Sequence, residues 1–402
     1  MTAAMPGPRT TGHDQIVLLD GARTPVGAFG GAFAGTPAHE LGAVAVRAAL
    51  ERSGVPFSDV DEVLMGCIGQ VGADAYNARR VALAAGLGVD TPAWTVNRLC
   101  GSGLQAIWSA AQQLHWGGVD LVVAGGDENM SRMPFYDFDA RAGRTLGHHT
   151  LHDGTLLMLT DPFTGGHMGR TAENIARIYG VSRQEQDEFA LRSQQRAAGT
   201  PAQTAFAEEI TPVQTGGRNP VLVTADEHPR PDSTLETLSR LHPAFEKGGT
   251  VTAGNSSGVN DGAAAVIVTR GRVAAERGLT PTVALTAVAT AAVDPSVMGY
   301  APVYALQKLF DLTGTGPGDI DVIELNEAFA AQAVAVARDT GLDPERVNPY
   351  GGAIALGHPV GATGAILTLR VMKDLVRRDL ETGIVTMCIG GGQALAALFT
   401  RL

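Results

Sequence analysis

The 402-residue chain repeats itself once, at long range. DVDEVLMG, beginning at Asp59, returns as DIDVIELN at Asp319, an offset of 319 − 59 = 260. NRLCGSGLQA from Asn97 returns as GHPVGATGAI from Gly357, where 357 − 97 is again 260. VVAGG ending at Gly126 returns as MCIGG ending at Gly391, an offset of 391 − 126 = 265. Three ordered matches at a nearly constant offset mark the duplication of one large unit, unlike the short period of a solenoid. Each copy alternates apolar strands with amphipathic helices. In the first, Leu41, Val44, Ala45 and Ala48 recur at helical spacing, with Thr36 as the cap, Pro37 at the first position and Gly54 as the stop. A second helix spans about Gly101–Gly117, its apolar face formed by Leu104, Ile107, Trp108 and Ala111. The strand Val119–Gly126 follows. This order predicts an α/β fold of βαβ units with a parallel sheet. Two such halves form a pseudo-twofold pair whose equivalent loops meet at one place.

The stretch 131–259 interrupts the pattern. It is richer in polar residues, His, Arg and Pro, and it is too long for a structureless loop. It contains a helix start in which Ser182 and Glu185 form a capping box. The chain therefore divides into a loose tail (1–15), a first half (16–130 with 260–281), an inserted subdomain (131–259) and a second half (282–402). At 45% hydrophobic and 18% charged residues, the composition supplies a core and excludes disorder over most of the chain. No apolar run approaches the roughly 20 residues of a membrane span, and MTAAMPGPRTTGHDQ lacks the cationic start and apolar core of a signal peptide. A net charge of −11 argues against general nucleic-acid binding. Three cysteines cannot build a disulfide framework, which points to a reducing cytoplasm.

The chemistry-bearing residues lie in the repeated loops. Cys100 sits directly before a helix, where the macrodipole is expected to lower its pKa; a buried inert cysteine is the plainer alternative. Cys388 ends an apolar strand before three glycines, whose N–H groups are free to face an anion; a core cysteine is again the alternative. Cys67, in MGCIGQ, reads as structural. His358 occupies the loop equivalent to that of Cys100, so a pseudo-twofold makes a Cys–His pair geometrically natural. Asn326 and Glu327 end a strand at the side where parallel sheets place their sites, although Asn326 also fits a helix N-cap. TVTAGNSSGVNDGAAA, from Thr250, suits the close approach of an extended ligand. His228, Arg230, Arg240, His242 and Lys247 form a local basic cluster fit for phosphates.

Taken together, these segments resemble the thiolase family. CGS at Cys100–Ser102, NEAF at Asn326–Phe329, GHP at Gly357–Pro359 and CIG at Cys388–Gly390 follow in the family's order. RTPVG at Arg23–Gly27 and TAGNSSGVNDGAA support them. The resemblance covers nearly the whole chain from about Ile16. It implies two βαβαβαββ halves in a five-layered α/β/α/β/α body, with the insert as a coenzyme A-binding loop domain. It implies an acyltransferase that works by ping-pong cysteine chemistry, either cleaving 3-ketoacyl-CoA by thiolysis or condensing two acetyl-CoA in fatty acid metabolism.

By position, Cys100 matches the nucleophile, His358 the residue that activates it, and Cys388 the acid/base acting on the α-proton. Asn326 matches the residue that polarises the thioester oxygen through a water together with His358. The N–H groups of Cys100 and Gly390 match a second oxyanion hole. Ser257 matches a residue beside the pantetheine, His167 and Met168 the neighbouring loop, and Arg230 and Thr237 the nucleotide end. Ala253, Phe245, Phe329 and Met298 complete the implied binding set. The resemblance implies acyl-CoA and coenzyme A as partners, a homodimer or homotetramer, and no metal or cofactor beyond coenzyme A as substrate. Two other readings are a ketoacyl synthase-like condensing enzyme, opposed by the second cysteine in CIGGG, and an inactive CoA- or lipid-binding relative, opposed by the intact motifs. Asp127, the pair Tyr300 and Ala301, and His148, His149 and His152 depart from the family pattern. Tyr300 and Ala301 are expected to reshape the acyl pocket.

Overall fold

Nine strands line up in the ten-stranded central sheet of the computed structural model, which describes residues 14–216 and 218–402; the tenth, Gly27–Ala28, pairs off this line. Most of the expected tail lies outside the described residues. The strands are β1 (Ile16–Arg23), β2 (Glu62–Gly66), β3 (Ala93–Val96), β4 (Leu121–Asn129), β5 (Asn260–Arg270), β6 (Val283–Ala292), β7 (Val322–Leu325), β8 (Thr382–Ile389) and β9 (Gln393–Arg401). Their order across the sheet is β3-β2-β4-β5-β1-β6-β9-β8-β7. This order reads the same from either end once equivalent strands are matched. Where the second half needs a counterpart of β3, Val347 bridges Ile323 of β7 in parallel. The two copies meet at a short antiparallel seam, Val17 opposite Ala284 and Leu18 opposite Val283. The duplication seen in the sequence is thus a pseudo-twofold in space.

The sheet is mixed, not parallel throughout. Only β2 with β3, β2 with β4, and β7 with β8 run parallel. β5 returns antiparallel to β4 after the insert. β8 and β9 form a hairpin in which Ile389 faces Gln393. Gly391 and Gly392, at φ 80° and 82°, take the left-handed backbone that closes it.

Strand alternation explains the layering. Val63 and Met65 of β2 and Leu121 and Val123 of β4 pack outward against helix α1 (Ala38–Ser53). Leu64, Val122 and Ala124 pack inward against α2 (Ser102–Trp116). In the second half Ile323, Leu325 and Ile384 face α3 (Ala301–Thr313) and α4 (Ala330–Thr340), while Val385 and Met387 face inward against α5 (Thr363–Arg377). Helices α2 and α5 share one core cluster with both halves of the sheet, which makes the five layers α/β/α/β/α. Their first turns cross at glycines. A Cβ on Gly103 would lie 2.8 Å from the Ala365 N, and one on Gly364 would lie 2.3 Å from the Leu104 N. Only hydrogen fits there, and the loops entering the two helices are drawn together.

Helix α1 starts at Ala38, one residue later than expected, and no side chain caps it; Gly54, at φ 65°, stops it as expected. Between β4 and β5 no described strand joins the large sheet, and the stretch meets it at a single bridge, Ile210 to Arg23 of β1. That stretch carries the helices Gly169–Ile178, Arg183–Ala198 and Thr200–Glu209 and two small hairpins, and the Ser182–Glu185 capping box forms. It is anchored by a buried ion network. Arg23 Nε meets Glu209 Oε2 at 2.7 Å, and its terminal nitrogens grip Asp226 at 2.7 and 3.0 Å. Arg370 of α5 approaches the other Glu209 oxygen at 3.4 Å, and the Phe206 ring lies beside both guanidiniums. One carboxylate from this stretch therefore ties both halves together, with the burial of charge offset by opposite charges and hydrogen bonds.

Candidate active site

The turn from β3 into α2 carries Cys100. Leu99 sits at φ 48°, a left-handed conformation that a branched side chain rarely adopts. The turn is held by Ser102 Oγ, which accepts from the Arg98 N–H at 2.9 Å and donates to the Leu99 carbonyl at 2.6 Å. This presents the thiol to a cavity. Burial pushes the Cys100 thiol up to about 11, although the N–H groups of Gly390 and of Cys100 itself both bear on the sulfur and pull the other way. The expectation of a lowered pKa at the helix start is therefore not met in the resting protein, because desolvation outweighs the helix end. Gly390 has no room for a side chain, since a Cβ would lie 2.9 Å from Leu99 Cδ1.

His358 lies in the equivalent loop of the second copy. Its backbone N–H donates to Asn260 Oδ1 at 3.0 Å. Its Nδ1 lies 2.7 Å from Thr363 Oγ1, which itself donates to the Pro359 carbonyl at 2.9 Å. With that hydroxyl proton committed, the hydroxyl can only accept from an Nδ1–H, so the tautomer assigned from this network leaves Nε2 with its lone pair. Burial lowers the imidazole to about 4, so it is neutral at ordinary pH. Nε2 faces Asn326 Nδ2 at 3.4 Å.

Asn326 follows β7 directly, and its N–H donates to the Thr386 carbonyl of β8 at 3.0 Å. It does not cap a helix, because α4 starts only at Ala330. Its Oδ1 is buried and has no partner among the described residues. Cys388, two residues beyond Thr386, is 1% exposed and packs with Met168, Met298, Ala328 and Phe329. Burial and the neighbouring Cys100 both push its thiol well above the usual range. Two cysteines, one histidine and one asparagine from four separate segments therefore converge near the ends of the parallel strands.

The cavity in front of them has a volume of about 390 Å³, within the range of small-molecule sites. Of the expected residues, Cys100, His358, Gly390, Ser257, His167, Met168, Arg230, Ala253, Phe245, Phe329 and Met298 line it. His167 stacks on Phe245 with ring centres 4.7 Å apart, and Phe245 meets Phe329 edge-on at 5.9 Å. The NSSG loop is zipped to the NEAF loop by the Ser257 N–H on the Ala328 carbonyl at 3.0 Å. Asn326 and Cys388 stand behind this wall.

Other expectations are corrected. Thr237 does not reach the cavity; it is engaged in a capping box with Thr234, their N–H and hydroxyl groups paired at 3.0–3.1 Å. Tyr300 stacks on Tyr179 at 3.8 Å and donates to Asp339, away from the cavity, and Ala301 begins α3. The basic cluster divides: His228 and Arg230 line the cavity, His242 and Lys247 line a separate groove, and Arg240 pairs with Glu236. Asp127 points outward and accepts from Asn77 Nδ2 at 2.6 Å. His149 pairs with Asp137 at 2.6 Å on the surface. The sequence reading did not single out Asn260 and Thr363, which orient His358, although both sit inside segments it quoted. Met158 and Leu159 of the cavity wall had no local signal.

Comparison with known proteins decides the family. The family model for the thiolase N-terminal domain matches residues 16–272, and that for the thiolase C-terminal domain matches residues 279–401. The chain belongs to the thiolase family. It is 45% identical over 389 residues to a Pseudomonas aeruginosa protein named acetyl-CoA acetyltransferase, covering 96% of this chain and 99% of that one. It is 46% identical over 390 residues, with the same coverage, to a Staphylococcus aureus protein named probable acetyl-CoA acyltransferase. Among solved structures, the Bacillus anthracis acetyl-CoA acetyltransferase superposes with a TM-score of 0.95 at 41% identity, covering 98% of this chain and 100% of that one. Human mitochondrial 3-ketoacyl-CoA thiolase, in complex with CoA, gives 0.93 at 39% identity, covering 97% and 99%. Relatives so named at this identity, across almost the whole length, make the chain a thiolase-type acyltransferase and disfavour the synthase-like and inactive readings.

Proposed function

We propose that this thiolase transfers acyl groups between coenzyme A thioesters through Cys100, cleaving 3-ketoacyl-CoA with coenzyme A or running the reverse condensation of acetyl-CoA. The observation that carries this reading is the meeting of Cys100 and neutral His358 on one cavity, with Asn326 beside His358 and Cys388 near Cys100 behind its wall.

In the cleavage direction, His358 Nε2 takes the Cys100 proton and the thiolate attacks the 3-keto carbon. That suits a buried thiol paired with an unprotonated imidazole. The N–H groups of Cys100 and Gly390, which bear on the sulfur in the resting protein, are placed to donate to the oxyanion that forms there. The bond between C2 and C3 then breaks and leaves acyl-Cys100 and the enolate of acetyl-CoA. Asn326 and His358 face the side where that enolate oxygen would lie. The Cys388 thiol, held protonated by its burial, gives the enolate its α-proton. A second coenzyme A, deprotonated in turn, attacks acyl-Cys100 and releases the shortened acyl-CoA. Condensation follows the same steps backwards. Each step uses only thiols, an imidazole, an amide and backbone donors.

Arg230, exposed at the cavity mouth, is placed for the phosphates of coenzyme A, and Ser257, His167 and the Phe245–Phe329 wall for its pantetheine arm. Residues 131–259 act as the CoA-binding domain, the protein works in the cytoplasm, and the assembly is a homodimer or homotetramer. No helix among the described residues is long and apolar enough to cross a membrane.

The test is thiolysis by purified protein of acetoacetyl-CoA and a series of longer 3-ketoacyl-CoA substrates, with mass detection of an acylated Cys100 peptide. Consumption of at least one substrate with acyl-Cys100 formed supports the reading. No turnover of any chain length, or an acyl group on another residue, overturns it.

A further inference from the structure

Strand β4 ends in two buried acids, and the pleat sends them to opposite faces. Asp127 faces outward to Asn77, whereas Glu128 faces the loops of the site. Glu128 is 1% exposed, and its partners are not cations. Its Oε2 accepts from the Ile68 N–H and the Gly361 N–H, each at 3.0 Å. Its Oε1 accepts from the Gly69 N–H at 3.0 Å and lies 3.7 Å from Cys67 Sγ. Burial raises this carboxyl to about 7, and the three backbone donors work against that rise. A charge held this way is costly unless its hydrogen bonds do something neutral groups would not.

What they do is join the two copies beneath the reaction. Ile68 and Gly69 belong to the loop after β2, in the first half. Gly361 belongs to the loop between His358 and α5, in the second. Ile68, His358 and Val360 all line the cavity. His358 is fixed at its own N–H by Asn260 and at Nδ1 by Thr363, and the segment that follows it is fixed at Gly361. No other side chain fits at that point, because a Cβ on Gly361 would come 2.6 Å from Glu128 Oε2. We propose that Glu128 is a positioning residue for acyl transfer, a buried carboxylate that locks the His358 loop to the Ile68 wall and thereby sets the register between His358 and Cys100. Its negative charge also bears on Cys100 and disfavours the thiolate there.

This inference rests on the proposed reaction, and its test separates the two. Glu128→Gln keeps the shape but removes the charge and turns an amide N–H₂ towards one of the backbone donors. Displacement of reacting groups by about 1 Å costs on the order of 10²-fold, so kcat per titrated active site is expected to fall by about tenfold to 10²-fold. The KM for coenzyme A is expected to stay within about twofold, since the mouth of the cavity does not touch Glu128. Alkylation of Cys100 by iodoacetamide at fixed pH is expected to quicken as the charge disappears. A merely structural carboxylate would lower the titrated fraction while leaving kcat per site and alkylation rate unchanged, and that result overturns the proposal. Glu128→Asp, which keeps the charge but cannot span both loops, is expected to lose kcat without the faster alkylation. Should neither variant fold, amide hydrogen exchange on the wild-type protein decides. Slow exchange at one common rate for Ile68, Gly69 and Gly361 supports the lock, and rapid exchange at Gly361 beside protected Ile68 overturns it. Wild-type protein without thiolysis would sink the proposed reaction and leave the exchange and alkylation results to judge Glu128.

Discussion

The inner and outer ends of the cavity are built differently. At the inner end every group is pinned by the core: Cys100 by a strained turn and the Ser102 hydroxyl, His358 by Asn260 and Thr363, Asn326 by Thr386, and Cys388 within β8 itself. At the outer end Arg230 is exposed and held by its backbone, the N–H at 2.8 Å to Gln194 Oε1 and the carbonyl accepting from the Ser233 hydroxyl at 2.8 Å. The contrast follows the chemistry. Attack on a thioester and removal of an α-proton need geometry fixed before substrate arrives, whereas holding a flexible polyphosphate needs charge and reach.

That contrast can be broken or sharpened by experiment. Cys100→Ala is expected to cut thiolysis of acetoacetyl-CoA by about 10⁴-fold or more, as for other lost nucleophiles, with coenzyme A binding by calorimetry largely kept; near-normal turnover would show that the inner end is not where reaction occurs. Cys388→Ala is expected to cost about 10³-fold in turnover, the scale of a lost acid/base. It should still form acyl-Cys100 from acetyl-CoA yet stop exchanging α-protons with deuterated solvent; persisting exchange removes Cys388 from that role. Removing an oxyanion donor typically costs about 10²-fold, so Asn326→Ala is expected to lose that much in kcat with little change in KM. The resting thiol of Cys100 lies at about 11. Its alkylation should therefore rise about tenfold per pH unit from roughly pH 7 to 10, since the thiolate fraction grows until the thiol pKa is reached. A plateau near neutrality would mean a thiolate already formed. The smallest effect belongs to the outer end. Arg230→Ala is expected to raise the KM for coenzyme A only about threefold to fivefold, as befits one exposed charge, and Thr237→Ala, with its hydroxyl engaged by Thr234, should change nothing.

The same division governs what could be read before the structure. Strands β2, β4, β7 and β8, helices α2 and α5, and the meeting of the Cys100 and His358 loops follow from the repeat, because a duplicated βα unit carries its packing with it. The inner-end residues were legible because each needs a particular neighbourhood of small residues, and GSG, GHPVG and CIGGG print those neighbourhoods in the chain. The antiparallel strands were missed because strand direction depends on connections, and the long route from β4 to β5 has no periodic signature. The pKa of Cys100 was misjudged because the helix start is local, whereas the desolvation that raises it comes from surroundings built by distant segments, such as the other walls of the cavity. Thr237 and Tyr300 were misplaced for a related reason. On short irregular elements a side chain's direction is set by its neighbours in space, here Thr234 and Tyr179.

The position of β9 has a consequence for how the protein is made. It follows β8 in sequence, yet it sits between β6 and β8, so the second half of the sheet stays open until β9 has docked. Cys388 and Gly390 lie just ahead of it. The first half can therefore bury its core early, whereas the sheet around Cys388 and Gly390 closes only when β9 slots between its two neighbours, and a variant that weakens β9 would leave an open strand edge on display.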